Sequence, residues 1–384
     1  MTRKTGKEIE EIKNNLGIDR IWSWSKINTY ITDPYEYLLK YILHIQEDRK
    51  DSIYAVSGGY SHELTEKFYR NELDNQQILE EYEDKLFEFN TMGLMYDRSD
   101  KDKNEKIAKK YEDCMRHFFL NHIKVTDKPI IEQFVLIKVG NEYFQGYIDF
   151  VNVEERDGKK KIIVTDWKTS SIYKGEKLLK ESGQLLLYGE GIHQKTKMSY
   201  EDIIIRFNFM KYVNVIYTQK KGDKKVRQIE RNSIGEKLQS NAKTWLKHFK
   251  YPEDEIDIFL GQMLDANGIS CLPKEVQEKF EIDDCFVEVE LNEKIIKEHI
   301  QKITNIIVEI EEKEKKYQLT KDKNIFWQDV TKENSYYHAN LSGYSSVLHL
   351  PYRRYLEEQD FNEGKKVMED KSIVDELDWL DEIL

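Results

Sequence analysis

The apolar positions change their repeat twice along the chain, and those changes divide it. Spacings of three and four predict helices over residues 8–20 and after Pro34, where "WSWSKINTYITDPYEYLLKYIL" reads as a serine-capped turn leading into a helix. "SGGYSHELTEKFYRNEL" predicts a Gly-Gly break followed by a helix with His62 near its start. Helical spacing continues over 76–122, interrupted around the charged loop "DRSDKDKNEK". From residue 130 the repeat becomes two. "IIEQFVLIKV", "EYFQGYIDFVNV" and "KKIIVTDWKT" predict successive strands, with "ERDGKK" as a hairpin turn. A helix follows over 176–193, then a strand pair, "DIIIRFNFMKYVNVIYTQ" and "KKVRQIER", turned by "KKGDKK". Helices return at 233–249, 253–266 and 292–317, and residues 325–355 are aromatic and irregular.

This order predicts an α/β or α+β core with helical elaborations at both ends. The expected divisions are a helical N-terminal region, 1–125, containing His62; a core, 126–232; a helical C-terminal region, 233–355, packing back on the N-terminal segment; and an acidic tail, 356–384.

Composition adds limits. No apolar run of about 18 residues could cross a bilayer, and the N-terminus lacks a signal-peptide stretch. Cys114, Cys271 and Cys285 lie far apart with no CxxC pair, which predicts reduced thiols in a cytosol. The net charge of -12 speaks against a nucleic-acid partner only until its distribution is considered. Residues 355–384 hold eleven acids against three lysines, so the rest of the chain is nearly neutral and has room for a local basic groove. Leu377, Leu380 and Leu384 recur at helical spacing in that tail. It reads either as a helix for a partner's groove or as a disordered, solubilising segment.

Candidate chemistry gathers in the core. Asp149 lies on a strand between apolar neighbours, and Asp166 ends the next strand after "IIVT". Carboxylates in such places need a cation or donors, and carboxylate oxygens with water suit Mg²⁺ or Mn²⁺. Lys168, two residues past Asp166, shares its face and could orient or deprotonate a water or neutralise phosphate charge. An acid-x-Lys triplet alone means little, because the chain repeats it at Glu11/Lys13 and Asp223/Lys225, among other places. Gln184 and Tyr188 share a helix face, as substrate contacts or as plain surface residues. His62 reads as a ligand or a partly exposed histidine. Trp167 reads as core, with a carbonyl free to ligate. "KKGDKK" and "KVRQIER" read as a solvated hairpin or as a phosphate-tracking ribbon.

"GYIDF…VTDWKTS…GQLLLYGEGI" resembles the RecB-like branch of the PD-(D/E)xK nucleases. That pattern is Gly-x-x-Asp, Asp-x-Lys, then Gln-x-x-x-Tyr, here Gly146/Asp149, Asp166/Lys168 and Gln184/Tyr188. "SHELTEKF" is similar to its upstream metal-binding histidine followed by an acid, and the whole is most like phage-encoded RecB-type exonucleases. The resemblance implies a restriction-endonuclease-like mixed sheet flanked by helices. It implies an Mg²⁺- or Mn²⁺-dependent deoxyribonuclease, with one or two ions on His62, Asp149, Asp166 and the Trp167 carbonyl. Asp149, Asp166 and Lys168 would be catalytic, with Gln184 and Tyr188 on the substrate. The implied partner is DNA with free ends or single strands, in replication, recombination or repair, with the tail recruiting a protein of such a pathway. Several relatives hold an iron–sulphur cluster on four cysteines. Asp33-Pro34, His338, Ser342 and Leu348 or His349 stand at those positions here, so no cluster is expected. Apolar packing and hydrogen bonds are expected to clasp the two ends instead, and a zinc site on Asp33, His338 and His349 is the lesser alternative. The rivals to an enzyme are a non-catalytic DNA-binding or scaffold subunit and a partner-binding factor acting through the tail.

Overall fold

A computed structural model describes residues 3–47, 53–97, 100–332, 334–335 and 337–344. The tail and His349 lie outside the described residues. In chain order the elements are α1 (Gly6–Leu16), β1 (Trp22–Ser23), α2 (Trp24–Thr32), α3 (Pro34–Tyr37), α4 (Ile53–Tyr69), α5 (Asn75–Thr91) and α6 (Lys101–Asn121). Then come β2 (Ile130–Val139), β3 (Glu142–Arg156), β4 (Lys159–Lys168), α7 (Glu176–Glu181), α8 (Gly183–Thr196), β5 (Ile203–Thr218) and β6 (Lys224–Glu230). The chain continues through α9 (Ile234–His248), α10 (Glu253–Asp265), α11 (Lys274–Gln277), β7 (Phe280–Val289) and α12 (Glu293–Thr320).

The chain forms two compact units, Met1–Trp24 with Ile53–Ile307, and Ser25–Ser52 with Val308–Leu384. The first contains a seven-stranded mixed sheet in the order β1-β3-β4-β5-β6, with β2 also on β3 and β7 also on β5. Antiparallel hairpins join β2 to β3 and β3 to β4, while β4 and β5 run parallel. A parallel pair needs a crossover, and α7 and α8 supply it. This is the mixed sheet flanked by helices expected of a restriction-endonuclease-like fold.

Two apolar clusters hold the sheet. Phe150, Trp167 and Met210 pack with Leu64, Phe68, Tyr82, Phe118 and others from α4, α5 and α6. Val213, Val215 and Ile229, on the far half of β5 and on β6, pack with Leu238, Leu246, Ile256 and Met263 of α9 and α10. α8 crosses β2, β4 and β5. It approaches closely where it has glycine: a Cβ on Gly191 would meet Ile137 at 2.8 Å.

Three local expectations need correction. Gly58 and Gly59 do not break a helix: α4 runs unbroken from Ile53, and His62 stands mid-helix. A Cβ on Gly58 would lie 3.2 Å from Thr169 Oγ1, so the missing side chain serves a close approach to the end of β4. The single helix expected over 176–193 is two, meeting at Ser182, whose hydroxyl donates to the Leu178 carbonyl. A strand not foreseen, β7, pairs with β5 on either side of an irregularity between Asn208 and Val213.

In the second unit Asp33 caps α3, its Oδ1 accepting from the Tyr35 and Glu36 amides at 2.7 and 3.1 Å. Its Oδ2 lies 3.4 Å from His338 Nε2, and Glu36 Oε2 accepts from the Tyr337 and Ser342 hydroxyls. These groups are buried. Burial pushes the Asp33 carboxyl up to about 6 and the His338 imidazole down.

Candidate active site

The site forms where β3 and β4 pass under α4. Thr165 of β4 pairs with Phe150 of β3, which sets Asp149 beside Asp166 at the C-terminal end of β4. The pairing is fastened by a side chain: the Trp167 amide donates to Asp149 Oδ2 at 3.0 Å. The Trp167 indole is buried, its ring stacked at 13° on Tyr69 and packed against Phe150. α4 brings its polar, small-residue face to the sheet. Ser61 and Thr65 turn their hydroxyls back onto the Ser57 and Ser61 carbonyls at 2.7 and 2.8 Å, satisfying them without reaching outward. One position on, the half-buried His62 stands edge-on to Trp167, with Nδ1 3.5 Å from Asp149 Oδ2.

The charges here are incompletely balanced. Burial pushes the Asp149 carboxyl up to about 6, with the Asp166 charge adding to the rise and His62 and Lys168 opposing it. Asp166 is buried, and its Oδ2 accepts no hydrogen bond of proper geometry; the Lys168 ammonium meets it directly. Burial works to lower the Lys168 pKa, yet Asp166 and Asp149 together overcome it and hold the ammonium protonated above its usual range. One ammonium thus serves two carboxylates, which leaves net negative charge here for a further cation.

Gln184 and Tyr188 come from α8 below. Gln184 Nε2 donates to the Tyr188 hydroxyl at 2.8 Å, and that hydroxyl donates to the Tyr147 carbonyl at 2.6 Å. The Tyr188 ring lies against Gly146, where a Cβ would come within 2.6 Å of Cε1. The glycine of Gly-x-x-Asp and the tyrosine of Gln-x-x-x-Tyr are therefore one packing contact, directly under the strand that carries Asp149. Gly183 is similarly filled, by the Trp24 ring.

One acid near the site was not singled out by number from the sequence. Glu66 follows His62 by one turn of α4. Burial raises its pKa, with Glu132 and Asp149 adding to the rise and Arg70 and His62 opposing it. The signal was present as spacing, since residues four apart share a helix face.

Among the described residues no three His, Cys, Asp or Glu side chains form a ready metal cage. The donor set nonetheless fits a hard divalent cation: two carboxylates, an imidazole and a backbone carbonyl, with one carboxylate oxygen lacking a hydrogen bond. Asp33 and His338 are brought together in the second unit, and His349 lies outside the described residues. No helix among the described residues is long and apolar enough to cross a membrane.

No curated protein sequence matches the chain. The sequence model of the PD-(D/E)XK nuclease superfamily matches residues 21–276, a span that takes in α4, the β3–β4 hairpin and α8. Its extent, together with the mixed sheet, assigns the chain: it belongs to the PD-(D/E)XK nuclease superfamily.

Proposed function

We propose that the chain is an Mg²⁺- or Mn²⁺-dependent deoxyribonuclease acting from DNA ends. The observation that carries this reading is the meeting of Asp149, Asp166, Lys168 and His62 at one end of β4, where one ammonium faces two carboxylates. Asp149, Asp166, His62 and the Trp167 carbonyl would hold one or two ions, and Glu66 lies near enough to support them through His62. A bound divalent ion supplies Lewis-acid stabilisation of the phosphate and a more acidic water.

The chain's own groups divide the remaining work. Lys168, in contact with Asp166, is placed to position the attacking water and counter phosphate charge. The water oxygen bonds to phosphorus, the P–O3′ bond breaks, and the water's protons pass to solvent and to the departing 3′ oxygen. The products are a 5′-phosphate and a 3′-hydroxyl. Gln184 and Tyr188 steady the β3 segment behind Asp149 and border the phosphate path.

Preference for ends rests on the resemblance of His62 and the Gln-x-x-x-Tyr pair to the RecB-like pattern. So does a setting in phage-type replication, recombination or repair in the cytosol, with 356–384 recruiting a partner. The deciding experiment uses end-labelled linear DNA, single- and double-stranded, beside closed circles, with Mg²⁺ or Mn²⁺. Mononucleotides or short 5′-phosphorylated fragments from linear DNA alone are expected. If the wild type cuts nothing faster than an Asp166→Ala/Lys168→Ala variant does, the protein is a non-catalytic DNA-binding subunit and the enzyme reading is lost.

A further inference from the structure

The β5–β6 hairpin is unlike the rest of this acidic chain. Residues 220–227 are all exposed and carry Lys220, Lys221, Lys224, Lys225 and Arg227 against the single acid Asp223. Among the described residues Lys224 has only a long 4.0 Å pair with exposed Glu281, and Arg227 donates to the Lys237 carbonyl. No carboxylate lies within ion-pair distance of Lys220, Lys221 or Lys225 among the described residues.

The lysines also converge. A shallow concavity of about 600 Å³ is lined by Lys220, Lys221, Lys225 and the single carboxylate of Asp223, together with Asn241 and Thr244 of α9. Cations, an amide and a hydroxyl in one hollow are the donors that grip phosphate oxygens. The hollow is rigidly founded. Gly222, at φ +91°, makes the tight turn, the Gln219 and Asp223 backbones bond across it at 2.8 Å, and Trp245 Nε1 donates to the Thr218 carbonyl at 2.9 Å. Beneath lies the apolar cluster of β5, β6, α9 and α10.

Sheet register relates this hollow to the candidate active site. β5 runs parallel to β4, and Lys168 pairs with Phe209. β4 ends there, whereas β5 continues in the same direction to Thr218. β5 bulges between Asn208 and Val213, and on β7 only six steps separate the partners of Asn208 and Tyr217, so at about 3.3 Å per residue the further run reaches roughly 20 Å beyond the catalytic end of β4. DNA advances about 3.4 Å per base pair, so the hairpin stands about six base pairs from the phosphate at Asp166.

We propose that the β5–β6 hairpin is a second nucleic-acid contact, gripping the backbone of the same DNA about six base pairs from the scissile phosphate. This rests on the nuclease reading for the identity of the polyanion. The hairpin supplies affinity and reach without sequence preference, since its groups are phosphate donors and none is placed to read a base edge.

The test separates the two readings. Binding of a fluorescent 30-base-pair duplex and of a 4-base-pair duplex covalently closed at one end is measured by anisotropy across a salt series, in chelator, with Asp166→Ala protein so that nothing is cut. A second protein adds Lys220→Ala, Lys221→Ala and Lys225→Ala, all exposed positions. On the longer duplex the added substitutions are expected to weaken Kd roughly tenfold and to reduce the salt slope by about two to three, near 0.9 for each phosphate no longer neutralised. On the shorter duplex the two proteins should bind alike. Equal affinity and equal slope on the long duplex would overturn the proposal, as would no binding of either duplex by the Asp166→Ala parent. With Asp166 restored, the triple lysine variant should raise KM on long DNA and leave kcat in place. A wild type that binds in this length-dependent way yet cuts nothing would remove the catalytic reading and keep the hairpin contact.

Discussion

Two clusters of buried charge lie within the first unit, joined through Tyr69 and Trp167, and they are built on opposite terms. At the irregularity between β5 and β7, Asp284 receives the Arg231 guanidinium on Oδ1 and lies 2.6 Å from His122 Nδ1 through Oδ2. Arg231 also donates to the Met210 carbonyl at 2.8 Å, and His122 Nε2 meets the Tyr69 hydroxyl at 3.1 Å. Burial alone would raise the Asp284 pKa, but His122 and Arg231 outweigh it and hold the carboxyl at about 2. At the end of β4 the terms reverse: burial prevails at Asp149, and Asp166 Oδ2 lacks a proper hydrogen bond. A closed network stabilises a fold, while an open one keeps unspent affinity for a ligand.

The comparison breaks first at Arg231. Arg231→Met leaves Asp284 buried without its main counter-charge and should cost about 3–5 kcal/mol in denaturant unfolding. Asp166→Asn should act the other way round. Thermal unfolding should show a Tm equal to the wild type or higher, while turnover of labelled DNA falls about a thousandfold, near 4 kcal/mol of barrier. If Asp166→Asn proved as destabilising as Arg231→Met, the two clusters would be the same kind of object.

Acid sharpens the contrast. Asp284 has its folded pKa, about 2, below the ordinary 3.8. Its contribution is therefore fully present above about pH 4 and disappears as pH falls toward 2, about 2–3 kcal/mol in all. Unfolding followed between pH 5 and 2 should show that loss in the wild type and a flatter curve in Asp284→Asn. Gly146→Ala should then displace the Tyr188 ring at a cost of about 1–3 kcal/mol, and Tyr188→Leu in the same chain should recover part of it. The smallest effect is expected at Asp149→Asn without added metal, a gain of about 1 kcal/mol in chemical unfolding from removing a disfavoured buried charge.

Much of this was legible in the chain because it was periodic. β2, β3, β4, β5 and β6 alternate or run apolar, and each lies where the repeat of two placed it. β7 did not announce itself: "FEIDDCFVEV" carries an Asp-Asp pair in its middle, and Asp284 is tolerated there because Arg231 and His122 meet it from distant segments. Gly58-Gly59 misled for a similar reason. Glycine is read locally as a break, and its role here is clearance for Thr169, more than a hundred residues away. Asp149, Asp166 and Lys168 stood out by their apolar flanks, whereas Glu66 lay within a charged helix, where one acid resembles the next.

By itself the sequence determined the strands β2 to β6, most of the helices, the acid-x-Lys pair at a strand end and the basic turn at 220–225. These follow from nearest-neighbour geometry, the alternation of a strand and the turn of a helix, which extends over a few residues. Only the tertiary structure decided that Gly146 exists to seat Tyr188, that Lys168 is held charged by two aspartates, and that β5 outruns β4 to carry its lysines past the site. Clearance, burial and register depend on residues brought together from remote parts of the chain, and local periodicity carries no information about them.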